Sequence, residues 1–356
     1  MRSIFYDIDP GGDIELILKS PNKQDIVPED TFYPFPSQQS NPSEFLNPPC
    51  LGRYEVFGEL SPGDEGETPE AEVRMRVSSR HLIIASHTFR AMLEGPWIEA
   101  ALSPQPIRQI STEDWDALAL AIVLDCIHGR HFEIPTKISP GLLTRISTIV
   151  DYYQCREAVQ VHYHTWTEDS VCRLPDEEDD EEIKVMWLFV SWVFHDEIRF
   201  RKMADMFLRY SKGMSQFETN DLPVSGILGK LDNIRQTLLQ KLSEALDSLQ
   251  TKLMVEEGCD EENNSNCNAV LLGILIRERY HIANEFGPLV APFHKCTLDK
   301  ILGYIECVDR PTPQHHKDFK KYEGKFAPCT IQGILRPVLE EIDKATKVIC
   351  LADFQS

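Results

Sequence analysis

The sequence of 356 residues has no apolar run long enough to cross a bilayer. The longest, Val185 to Phe194, is bounded by Lys184 and His195 and falls short of the ~18–20 residues a spanning helix requires. Met1 to Asp7 offers no apolar core of the kind a secretory leader carries, so neither secretion nor a membrane span is expected. Positive charge is scarce: 36 Lys and Arg stand against 57 Asp and Glu, a formal charge of −21, with no basic cluster. Such a field repels phosphate backbones, which argues against direct nucleic-acid binding. Gly11-Gly12 lacks the context of a phosphate-cradling loop, and neither a Gly-x-Ser-x-Gly elbow nor a His-Glu-x-x-His helix occurs. Paired acids are frequent at this charge and therefore identify no general acid or base. An enzyme is not expected, nor a cofactor.

The ten cysteines show no regular spacing and suit reduced thiols of an intracellular protein, in nucleus or cytoplasm. The strongest metal candidate is the scatter Cys259, Cys267, His294, Cys296, Cys307 and Cys329. Zinc sites are usually built from close pairs such as Cys-x2-Cys, which this set lacks. Free buried thiols are the expected state, and no metal site is assigned. His162 with His164, and His315 with His316, read as surface residues.

What is present is apolar periodicity. Residues 1–12 are expected to be loose, ending in the turn Asp9-Pro10-Gly11-Gly12. Ile14, Leu16 and Leu18 then alternate as in a half-buried strand, and Val73, Met75 and Val77 do the same before Ser78. Between them residues 20–71 are rich in Pro, Ser, Asn and acid. This stretch reads as a largely disordered insertion in the hairpin, whose aromatics Phe32, Tyr33, Phe35, Phe45, Tyr54 and Phe57 are candidates for docking on a partner. Ser78 or Ser79 can cap two short helical turns with Leu82, Ile83, Ala85, Phe89 and Met92 inward. A strand is expected at 107–110. Ser111-Thr112-Glu113-Asp114 is expected to cap a helix carrying Trp115, Leu118, Ala119, Ile122, Val123 and Cys126. Gly129 ends that helix, and a short edge segment is expected at 132–135. Ser139-Pro140 opens the next helix, and a further one spans 155–166.

The acids Asp176 to Glu182 mark a linker, 173–183, or a helix entry. The all-round apolar stretch after it begins a helical extension, 184–212, buried between other elements or closed against a second copy. From 213 to 356 the chain is expected to be helical. A long helix near 224–256 carries Ile227, Leu231, Ile234, Leu238, Leu242, Ala245, Leu246, Leu249 and Leu253, and its stripe needs either the following helices or another protomer. Pro337 is expected to start or kink the last helix.

The stretch Val77-Ser78-Ser79-Arg80-His81-Leu82-Ile83-Ile84-Ala85-Ser86, followed by Phe89-Arg90-Ala91-Met92-Leu93, resembles the signature of the BTB/POZ domain in its filamentous-fungal form. Gly12 to Leu18 resembles that domain's first strand. Ile127 to Arg130, Ile134-Pro135 and Ile149 to Cys155 resemble its later half. The resemblance covers 12–170 and implies an α+β fold. That fold is a BTB/POZ-like domain over 13–172, a small sheet flanked by a helical cluster, followed by a mostly α-helical C-terminal region. It implies a non-enzymatic protein–protein interaction module that forms homodimers or recruits protein partners. Cullin-binding members of that family present an apolar-x-Glu triplet after the second helix, and Trp97-Ile98-Glu99 stands at about that place. The triplet marks a candidate partner-binding site for a cullin scaffold of a ubiquitin ligase. Its alternative is Trp97 packed in its own core with Glu99 solvated. A transcription-regulator reading is weaker, because neither zinc fingers nor a basic region is present.

Overall fold

In the computed structural model, residues 2–26, 52–60, 71–95, 107–168, 172–176, 178–213, 217–256, 265–307 and 330–355 are described. By contacts the chain divides into two compact units, Met1–Phe200 with Thr219–Val224, and Arg201–Glu218 with Ser225–Ser356.

The first unit is mixed α and β, around a four-stranded sheet. Strands β1 (Arg2–Asp7), β2 (Ile14–Lys19), β3 (Ala71–Val77) and β4 (Arg108–Glu113) lie in the order β1-β3-β2-β4. β2 and β3 are antiparallel, while β1 runs parallel to β3 and β4 parallel to β2. Residues 1–12, expected to be loose, thus contribute a strand: Ile4 pairs with Val73 and Tyr6 with Met75, and all four side chains are buried. Two apolar positions at period two are enough for an edge strand when a long apolar neighbour such as β3 receives them.

The register sorts the faces. Ile4, Tyr6, Val73, Met75, Val77, Ile14, Leu16, Leu18 and Ile110 are buried together on one side. The other side carries a polar strip across all four strands. Ser3 donates to Glu72, Arg74 bonds Glu72 at 2.7 Å and Glu15 at 3.1 Å, and Gln109 reaches Glu15 at 2.7 Å.

Helices α1 (Ser79–Ala85), α2 (His87–Glu94), α3 (Ala117–Ile127), α4 (Pro140–Tyr153), α5 (Arg156–Glu168) and α6 (Glu181–Val193) complete this unit, with the first residues of α7 (Glu197–Tyr210). α3 is its centre, buried at every position and touching α1, α4, α5, β3 and a 3-10 turn at Gly52–Leu60. Its cap is Asp116, whose carboxylate accepts from the Ala119 amide at 2.7 Å. Ser111 to Glu113, expected as the cap, extend β4 instead, and Asp114 turns the chain with φ +69°. No strand forms at 132–135, which is a turn. The acids do enter a helix: Asp180 is the N-cap of α6, with Glu181 and Glu182 in its first turn, where negative charge is favoured. The acid run is a break in composition only. The contacts divide the chain after Phe200, because the buried face of α6 packs on α4.

Part of the insertion at 20–71 also belongs to the core. Tyr54, Phe57 and Leu60 are buried, so Tyr54 and Phe57 are structural and not free to dock on a partner. Phe32, Tyr33, Phe35 and Phe45 lie outside the described residues.

The second unit is helical: α8 (Ser225–Val255), α9 (Ser265–Phe286), α10 (Leu298–Cys307) and α11 (Ile331–Lys347), ending in a 3-10 turn at Leu351–Phe354. At 1.5 Å per residue, α8 is about 46 Å long. Its stripe is covered within the chain. Leu238, Leu242, Leu246, Leu249 and Leu253 share one core with Leu271 and Leu275 of α9, Ile301 and Ile305 of α10, and Leu335 and Ile342 of α11. Each buried leucine contributes about 1.5–3 kcal/mol of apolar burial. The last helix does not begin at Pro337: its N-cap is Thr330, whose hydroxyl accepts from the Gly333 amide, and α11 carries Pro337 inside. No helix among the described residues is long and apolar enough to cross a membrane.

Candidate functional site

The stretch from β3 to α2 is held at both ends by side chains remote in sequence. Ser78 is the N-cap of α1 by backbone, but its hydroxyl makes no cap bond. Asp13 supplies the acceptor: its carboxylate takes the Ser79 amide at 2.8 Å and the Ser79 hydroxyl at 2.7 Å. Partial burial opposes the charge there, but the bonds from Ser79 hold the Asp13 carboxyl below the usual range. The Ser78 amide donates to Nε2 of His128 at 3.0 Å, while His128 Nδ1 lies 2.7 Å from the Leu124 carbonyl. Both ring nitrogens of His128 are thereby engaged, and burial pushes its pKa down. Ser86 accepts from Phe89 at the start of α2 and donates to the Tyr153 carbonyl, and the Phe89 ring stacks on Tyr153 at 4.2 Å. Leu82, Phe89 and Leu93 are buried, Ile83, Ala85 and Met92 are half-buried, and Ile84 is 79% exposed.

Beneath that stretch lies a buried polar knot. Asp125, the acid in the otherwise apolar α3, accepts from Tyr6 of β1 at 2.6 Å and from Tyr54 of the 3-10 turn at 2.8 Å. Arg53 stands 3.6 Å from its other oxygen, lies over the Tyr6 ring at 4.3 Å and donates to the Asp7 carbonyl. Burial raises the Asp125 pKa against these partners and raises both tyrosines. The knot joins three elements, and it was missed in the sequence. Its visible trace is Asp125 itself, set between the apolar run Ala117 to Leu124 and Cys126-Ile127, where a buried carboxyl group needs hydrogen-bond partners.

Trp97, Ile98 and Glu99 lie outside the described residues. So do Cys259, Cys329, His315 and His316, and the Cys267 side chain with them. Cys296 is buried, with its sulfur 3.8 Å from the Phe293 carbonyl, and burial raises its pKa. His294 and Cys307 are exposed. Among the described residues no three His, Cys, Asp or Glu side chains form a metal-holding group. In the second unit, Arg277, Glu278, His281, Asn284 and Glu285 of α9 line an open polar groove with Tyr304 of α10. The Tyr304 hydroxyl donates to Glu285, which raises its pKa.

Large apolar side chains remain open on the first unit: Phe5 on β1, Ile84 on α1, Phe132 after α3, Tyr152 on α4, Val161 on α5 and Ile198 on α7. Comparison of the chain with protein-family models, curated proteins and solved structures finds no match. The geometry therefore stands by itself. What it offers in the first unit is a rigid frame, knotted at Asp125 and capped by Asp13, that presents apolar residues to solvent.

Proposed function

We propose that this is a non-enzymatic protein–protein interaction protein. Its first unit, BTB/POZ-like in the stretch from β3 to α2, mediates self-association or recruits a protein partner. The observation that carries the reading is the open placement of Ile84, Phe132, Tyr152 and Val161 on elements anchored to the core by buried neighbours such as Leu82, Ile134, Tyr153 and Tyr163. Covering such side chains releases water, and aromatic anchors held rigid lose little entropy on binding. Light scattering on the full chain at micromolar concentration is expected to give twice the chain mass. Ile84→Glu and Phe132→Glu, both at exposed positions, are expected to halve that mass while changing stability by no more than ~0.5 kcal/mol. A wild-type chain that stays monomeric throughout defeats self-association.

A narrower reading, substrate adaptor of a cullin ubiquitin ligase, is favoured by the triplet Trp97-Ile98-Glu99 in an acidic chain, which suits a basic groove. Purified cullin is then retained by the wild-type chain and lost with Trp97→Ala or Glu99→Lys. No retention by the wild type removes this reading and leaves self-association standing.

A further inference from the structure

Two remote side chains hold the corner where β3 turns into α1, and they answer acid differently. A backbone amide can only donate, so the 3.0 Å bond from Ser78 requires Nε2 of His128 to be unprotonated. The ring's one hydrogen then sits on Nδ1, where it donates to the Leu124 carbonyl at 2.7 Å. A proton added at Nε2 would meet the Ser78 N–H donor against donor. The Ser78 carbonyl accepts from the Leu82 amide at 3.2 Å, so freeing Ser78 also loosens the first turn of α1. One residue on, the Asp13 carboxylate takes the Ser79 amide and hydroxyl at 2.8 and 2.7 Å.

Charged groups act on His128 from three elements. His81 of α1 lies against it, with ring centroids 4.9 Å apart, and Asp9 of the turn after β1 and Asp125 of α3 add negative charge. Arg130 acts on Asp125 in turn. Burial and His81 oppose a second proton on the ring, while the Leu124 carbonyl, Asp9 and Asp125 favour it, and burial wins. Partial burial opposes the Asp13 charge, but its bonds from Ser79 keep that carboxylate ionised in the range where histidine titrates.

We propose that His128 is an acid-sensitive latch on α1. Protonation at Nε2 drops the Ser78 amide while Asp13 keeps Ser79, so the start of α1 opens about that remaining pivot. The neutral ring's contribution to stability is complete above the ordinary histidine value of about 6.5 and is lost as pH falls from there toward the folded one. Ile84, exposed on the same helix, then loses its fixed placement, and the self-association proposed above weakens in acid. That consequence rests on the self-association reading, whereas the latch is local.

Hydrogen exchange of the full chain, read by mass spectrometry between pH 7 and pH 5 and normalised to the intrinsic rate at each pH, tests this. Protection over residues 78–86 is expected to fall about tenfold by pH 5, the worth of one hydrogen bond. Residues 238–249 of α8 are expected to keep theirs. His128→Gln cannot take the proton and is expected to show the same protection over 78–86 at both ends of the range. His81→Gln removes the neighbouring charge and is expected to move the midpoint to higher pH, which decides the matter should His128→Gln unfold. Equal wild-type protection at pH 7 and pH 5, or a response that survives His128→Gln and so belongs to Asp125, overturns the proposal. A latch found in a chain that is monomeric at pH 7 sinks self-association and leaves the latch standing.

Discussion

The first unit places a carboxylate at its centre, while the second closes on a leucine stripe and keeps most of its ions at the margin. In the first, Asp125 takes hydrogen bonds from β1 and from the 3-10 turn, 119 and 71 residues away along the chain. In the second, the core is apolar and shared: Leu238 to Leu253 pack with residues of α9, α10 and α11. Arg235, a buried cation there, is held by Asp232 one helical turn away at 2.8 Å and by the Pro292 and Phe293 carbonyls 57 and 58 positions on. A knot fails all at once, and a stripe fails by degrees.

All five tryptophans lie between residues 97 and 192, within the first unit, so their fluorescence isolates it while helical circular dichroism reports both. The largest effect is expected from Asp125→Ala. It strands two tyrosine hydroxyls and a guanidinium, and should cost about 3–5 kcal/mol in the fluorescence transition. Leu242→Ala, at a fully buried stripe position, should cost about 3 kcal/mol in the dichroism transition and leave the tryptophan signal in place. Equal movement of both signals would dissolve the distinction between the units. Tyr54→Phe removes one of the two hydroxyls on Asp125 and should cost about 1–2 kcal/mol. A loss as large as that of Asp125→Ala would show that the turn and not the acid is the keystone.

The smallest effect is in pH dependence. The folded Asp125 pKa is raised, so its protonation favours the fold below the ordinary carboxylate pKa of about 4. That contribution is lost as pH rises from there toward the folded value. Asp196 is opposite: partial burial opposes its charge, but Arg199 and Tyr163 hold its pKa down. Its contribution is present above the ordinary value and lost as pH falls through the folded one. Melting temperatures of the wild type relative to Asp125→Asn should therefore decline as pH is raised from about 4 to 7. A flat difference would mean that the buried acid does not titrate in that window.

The parts legible in the sequence were those written as period. Ile14 to Leu18, Val73 to Val77 and the α8 stripe repeat an apolar residue every two or every three to four positions, and each forms the element that period demands. β1 escaped because only Ile4 and Tyr6 point inward, too few to separate from a loose end. β4 was cut short because Ser111 to Asp114 has the composition of a helix cap, and pairing with β2 overrides that local preference. The knot at Asp125, the Asp13 cap and the His128 contact with Ser78 join residues 50 to 119 positions apart, and no spacing rule spans such distances.

The 3-10 turn at Gly52–Leu60 has a practical bearing on how this chain can be shortened. Clipping the whole connection between β2 and β3 would look harmless on a hydropathy plot, yet it would withdraw Tyr54 from Asp125 and Arg53 from Tyr6. A minimal version of the first unit must keep those nine residues as a plug, with new joins made on either side of them.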